Sequence, residues 1–97
     1  MADNALRSPI KLARQAVQEV IDRHHGERPE GVRRVEPHFG EDWTGAPAVF
    51  LHMFVDKGLE PTNEKIGQLN AFVRAMLDEI IDMELGYWPY SRTIEED

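Results

Sequence analysis

The chain has no cysteine. Disulfide bridges and thiolate metal sites are therefore excluded, and a reducing cytoplasm is the compartment that fits. No apolar run reaches the roughly 18 residues that a membrane-spanning helix needs. The first residues also lack a basic-then-apolar signal pattern. Positive charge is scarce: eleven lysines and arginines face eighteen acidic residues, a formal charge of −7. Such a surface repels phosphate backbones, so neither nucleic acid nor membrane is an expected partner. No loop combines the glycine spacing and lysine of a phosphate cradle. Ser91 has no visible histidine–acid relay, so nucleophilic catalysis has no support. No catalytic residue and no cofactor is predicted, and a cytoplasmic protein with no enzymatic role is expected.

What remains reads as one α+β domain over residues 1–97, long enough for a thin core. Residues 1–7 and 95–97 are expected to be flexible ends. Ser8 and Pro9 read as a helix cap and first helical position. Ile10, Ala13, Val17, Val20, Ile21 and His24 form one apolar stripe, which predicts a helix over 8–25. Gly26 and Pro29 end it. From Val32 to Phe39, Val35, Pro37 and Phe39 share one face and Arg34, Glu36 and His38 the other, the pattern of a half-buried strand. Pro37 marks it as an edge. A turn-rich loop, 40–45, links it to a second strand in an antiparallel hairpin. Thr62 or Asn63 then caps a second helix, whose stripe runs from Ile66 to Leu85 and predicts an end near Gly86. An aromatic segment, Tyr87 to Tyr90, leads into a short candidate strand over 91–94.

The most informative stretch is Ala46 to Val55, apolar on both alternating faces. A hairpin is only about 10 Å across, whereas two helices side by side occupy about 20 Å. One face of a lone hairpin cannot shield both. Either the helices take opposite faces, or the sheet is widened. The free rim of the second strand must then pair with the tail strand or with its copy in another subunit. A homo-oligomer with the sheet continued between copies is expected, with Val49, Leu51, Met53 and Val55 at the contact.

Several residues are candidates for chemistry. His38 and His52 can approach across the hairpin, with Glu36 or Asp42 as a further metal ligand. Adjacent His24 and His25 point about 100° apart on a helix and do not share an ion. The competing structural account makes His24 the end of the stripe and His25 a favourable charge at the helix end. No metal site is predicted. Asp42 is a candidate base and Trp43 a candidate stacking residue. The alternative is that Asp42 and Thr44 satisfy turn amides while Trp43 caps the end of the core. Trp43, His52, Trp88 and Tyr90, with Phe54 nearby, are candidates for an aromatic ligand pocket. Asp78, Glu79, Asp82 and Glu84 gather where the dipole of the second helix disfavours anions. They predict a contact face for a basic protein partner, unless Arg33, Arg34 and Arg92 neutralise them.

Asp42 to Phe50 resembles a D-W-S-G-x-P-A-[IV]-F segment leading into a strand, and Pro89-Tyr90 with Glu95-Glu96 is similar to a P-Y-x-x-x-S-x-x-E tail. Both belong to small uncharacterised bacterial proteins, often carried by mobile or accessory gene regions. The serine of that tail is not matched; Thr93 or Ile94 stands nearby. The resemblance implies an α+β unit of bacterial type, and such proteins have no agreed activity that would assign a residue. The expected role is a protein-interaction or regulatory module acting as a homo-oligomer. The alternative is a small-ligand binder or minor enzyme with a pocket near Trp43.

Overall fold

The apolar stripe of the first segment winds into helix α1, Ile10–His24, which buries Ala13, Val17, Val20 and Ile21. The computed structural model describes residues 9–97. The expected cap Ser8 and the leader 1–7 lie outside the described residues. Pro9 holds the capping position, and its carbonyl accepts from the Ala13 amide at 2.9 Å. A 3-10 turn over His25–Glu27 closes the helix before Pro29.

Strands β1, Val32–Glu41, and β2, Pro47–Asp56, form the antiparallel hairpin that the alternation predicts. Val35 stands opposite Met53, Pro37 opposite Leu51 and Phe39 opposite Val49. Helix α2, Asn63–Asp82, begins at Thr62, whose hydroxyl accepts from the Lys65 amide at 3.2 Å. It stops four residues short of the predicted end. Met83 caps it, and Glu84 (φ 52°) and Gly86 (φ 86°) reverse the chain in left-handed conformations. A third strand, β3, Trp88–Glu96, then pairs in parallel with β2, from Ala48 opposite Trp88 to Asp56 opposite Glu96. This strand is more than twice the short tail strand expected, and it takes Glu95 and Glu96 out of the flexible end. The sheet order is β1-β2-β3.

Both rims of β2 are thus occupied within one chain. Three strands make a surface about 14 Å wide, enough for both helices to lie on one face with some overhang. A single core joins Val17, Val20 and Ile21 of α1 and Phe72, Val73, Met76 and Ile80 of α2 to Val49, Leu51, Met53 and Val55 of β2. Those four β2 residues, expected at a subunit contact, are 0–4 % exposed and belong to the chain's own interior. The physical reason is the third strand, which fills the rim that a second copy was expected to take.

The phase of the ladders is also fixed. The Asp42 amide donates to Ala46 O at 2.9 Å and the Lys57 amide to Glu96 O at 3.0 Å. Even-numbered residues of β1 and β3 therefore bond inward to β2, and odd-numbered ones present N–H and C=O to the outer rims. Pro37 and Pro89 are both odd-numbered, so neither costs the sheet a hydrogen bond.

Gly31 joins the first helical layer to the sheet at φ 94°, and its carbonyl accepts from the Asp56 amide at 2.8 Å. A Cβ there would lie 2.7 Å from a Leu59 methyl. Gly45 has a similar φ, 83°, but open space around it. Gly31→Ala is expected to lower the urea-unfolding free energy by about 1–3 kcal/mol. Gly45→Ala should lie at the low end of that range, because it carries the backbone strain without the crowding of Leu59.

Candidate functional site

Strand alternation that buries one face of the sheet under the helices leaves the other without a covering layer among the described residues. On it stand Arg34, Glu36 and His38 from β1, Phe50, His52 and Phe54 from β2, and Tyr90, Arg92 and Ile94 from β3. The rings form a nearly continuous pavement. Trp43 meets Tyr90 at 5.4 Å between centroids, and Tyr90 stacks on Phe50 at 5.4 Å. His38 stacks on His52 at 4.1 Å, and His52 meets Phe54 edge-on at 6.5 Å. Phe50, His52 and Phe54 are half-buried by these neighbours.

Two straps cross this face from one edge strand to the other. At one end the β1–β2 loop is held by Asp42. One carboxylate oxygen accepts from the Thr44 amide (2.9 Å), the Thr44 hydroxyl (2.6 Å) and the Ala46 amide (3.1 Å). The other accepts from the Tyr90 hydroxyl at 2.9 Å. These donors, the Thr44 hydroxyl first, hold the Asp42 carboxyl at about 2, below its usual range. At the other end the Arg34 guanidinium lies 4.0 Å above the Phe54 ring. It reaches Glu96 in a two-pronged pair at 2.7 and 2.8 Å and donates to Glu36 at 2.6 Å. Arg33 joins Asp56 at 2.6 Å and Glu96 at 3.3 Å. The Arg34 hydrogen bonds are the main reason that Glu36 and Glu96 lie below the ordinary glutamate range.

The predicted site residues fall on one face of the sheet by register. Trp43, His52 and Tyr90 share the open face. Trp88, opposite Ala48, falls by alternation on the same face, at its end, and also borders a cleft of about 490 Å³ lined by Pro47, Ile80, Ile81 and Leu85. Trp43 is 81 % exposed, so it does not cap the core. That role falls to Phe39 and Tyr87, which meet edge-to-face at 5.2 Å and pack on the core. Asp42 is a loop staple, saturated with donors and far too acidic to serve as a base at neutral pH. Ser91 is exposed on the opposite side of the sheet from His52. His38 and His52 converge through their ring faces, and no group of three His, Asp or Glu among the described residues is arranged to hold a metal.

Two of the four acids of the predicted contact face have partners within the chain. Glu79 accepts from Arg23 at 2.5 Å and contacts the Nε2 of His24, which pins α2 to α1; these two partners hold its carboxyl below the usual range. Asp78 pairs with Arg74 at 3.2 Å. Asp82 and Glu84 stay exposed. Arg33 and Arg34 serve the sheet rather than this patch. The Arg34–Glu96 and Asp42–Tyr90 straps had no signal in the sequence, because both depend on the parallel register of β3. The arrangement presents flat apolar rings framed by fixed charges.

Two outcomes follow from these titrations. Asp42 is held near 2 folded, against 3.8 ordinarily, so its contribution to stability is complete above about pH 4 and is lost as the pH falls through 2. Asp42→Asn should flatten the acid limb of the urea-unfolding profile between those values. Burial, with His38 and Arg92 nearby, pushes the His52 imidazole below its ordinary 6.5. Its contribution is present above that value and lost as the solution acidifies. NMR titration should show His52 gaining its proton only below the pH of an exposed histidine. No family model matches the chain, and a search of curated proteins finds no significant match.

Proposed function

We propose that this chain is a non-enzymatic protein-interaction module that works as a homo-oligomer, with its sheet continued between copies and its ring-paved face held ready for a protein partner. The observation that carries this reading is the uncovered face of the sheet. Trp43, Phe50, His52, Phe54 and Tyr90 lie side by side there with no second layer over them among the described residues. An apolar patch framed by charge is characteristic of contact surfaces. Aromatic and arginine side chains dominate the energetics of such contacts. The straps hold this face in one shape before any partner arrives, which lowers the ordering cost of binding. The exposed acids Asp82 and Glu84, at the end of α2, give a basic partner a secondary foothold. A small-ligand reading has less support, because Trp43 and Trp88 are 81 % and 55 % exposed and, among the described residues, the candidates spread over an open face rather than converge on an enclosed pocket.

Sedimentation velocity between about 5 and about 500 µM tests the assembly. The mass is expected to rise from one chain, 11.2 kDa, toward two; a single-chain mass throughout overturns it. Peptides selected against the immobilised chain from a random display library test the face. NMR shifts on their binding should centre on Trp43, Phe50 and Tyr90, and Trp43→Ala should weaken them about tenfold or more with an unchanged melting temperature. Shifts confined to the helical side would overturn the assignment.

A further inference from the structure

The two edges of the sheet are not equivalent. Odd-numbered residues present their backbone groups to the outer rims, as the Asp42–Ala46 and Lys57–Glu96 bonds establish. On β1 the middle of that rim is Pro37, which has no N–H to offer. On β3 the only proline, Pro89, stands at one end, and Ser91, Thr93 and Glu95 follow with outward N–H and C=O groups. All three are exposed. A long strand with its rim open is a template for pairing with another chain.

We infer that β3 pairs antiparallel with β3 of a second copy, about a two-fold axis at Thr93, to make one continuous six-stranded sheet. The inference rests on the homo-oligomer reading above and names its edge and register. With Thr93 facing its own copy, Ser91 faces Glu95 of the other chain in both directions. Each facing pair exchanges two hydrogen bonds, so about six form and every outward N–H from Ser91 to Glu95 is used. A register centred on Ser91 would instead set Pro89 against Thr93 and lose donors. The two-fold arrangement is closed and self-complementary.

Arg33 and Arg34 are shared among three carboxylates, Asp56, Glu36 and Glu96, which leaves that cluster one negative charge in excess. Arg92 makes no ion pair or hydrogen bond among the described residues, and it lies on the same face. In the Thr93-centred register Arg92 stands opposite Ile94 of the copy and diagonal to that copy's Glu96. At these non-hydrogen-bonded positions the twist of paired strands closes the diagonal between the two Arg92 side chains and opens the one to Glu96, so it is the count of paired donors, not charge, that selects the register. Above the axis the two α2 helices run antiparallel. An open groove of about 380 Å³ between Asn70, Arg74, Leu77 and Ser91 leaves room there for the facing side chains.

The natural chain has no cysteine, so one introduced thiol reports only on contact between copies. Facing residues in a hydrogen-bonded antiparallel pair have Cα atoms about 5.5 Å apart, within disulfide reach. Ser91 and its copy would be about 14 Å apart along the strands. Under mild oxidation, at a concentration where the wild type is dimeric, Thr93→Cys should link at least about tenfold faster than Ser91→Cys. Circular dichroism checks that each variant is folded. In the wild type, amide exchange at Ser91, Thr93 and Glu95 should slow as concentration rises, while Val35 and Phe39 on the β1 rim stay unchanged. This second readout needs no variant. Equal linking rates, or exchange at β3 that ignores concentration in a chain that does dimerise, would overturn the β3 register and leave the homo-oligomer standing. Protection of those amides only by a selected peptide would replace the second copy with a peptide strand. A wild type that stays single-chain at about 500 µM overturns both readings.

Discussion

The rest of the structure depends on the parallel pairing of β2 with β3. A hairpin alone offers too little surface for two helices, and its central rim is left raw. Once Trp88–Glu96 lies along Pro47–Asp56, β2 becomes a fully bonded middle strand. Val49, Leu51, Met53 and Val55 then form a floor wide enough for Val17, Val20, Phe72 and Met76 to share. The same pairing brings Tyr90 to Asp42 and Glu96 to Arg34, so the straps on the opposite face are consequences of it. A one-residue slip of β3 would exchange its faces and dissolve the core contact and both straps together.

That arrangement also distributes polarity unevenly. The chain carries a large negative excess, but most of the charge on the ring-paved face is tied into fixed pairs, with Arg34 over Phe54 as the centrepiece. Much of the remaining acid lies on or near the helices, where Glu79 joins α2 to α1 through Arg23 and His24. A partner meeting the sheet therefore encounters rings and a frame of mostly paired charges rather than the overall charge.

How much of this was legible in the sequence depended on the range of the interaction. The stripe Val17–Val20–Ile21 and the alternation Val35–Pro37–Phe39 report local periodicity, and both were readable before any coordinates. So were the Thr62 cap and the edge role of Pro37. The end of α2 was misjudged because Leu85 continues the apolar spacing; Glu84 and Gly86 break the helix by turning left-handed, which composition does not announce. The full third strand was underestimated because β3 alternates exposed polar residues with aromatic ones and ends in acids. Its stability comes from β2 and from arginines more than fifty residues away in sequence. The candidate site was half legible. Trp43, His52, Trp88 and Tyr90 fall on one face, as alternation allows, whereas the partners of Glu79, Arg23 and His24, sit on another helix and give no signal at its own position.

The separation between paired residues shapes how the sheet is made. Glu41 and Pro47 meet across a loop of a few residues, whereas every β2–β3 pair, such as Phe50 with Tyr90, joins positions forty apart. Loop-closure entropy grows with that span, and pairings of high contact order form late. The hairpin is thus free to zip first and wait, with one rim of its central strand bare, until the crossover through α2 delivers β3. During that interval a β3 from any neighbouring molecule is chemically the right strand. Exchange of this element between chains is the misassembly to which the fold's connectivity exposes it.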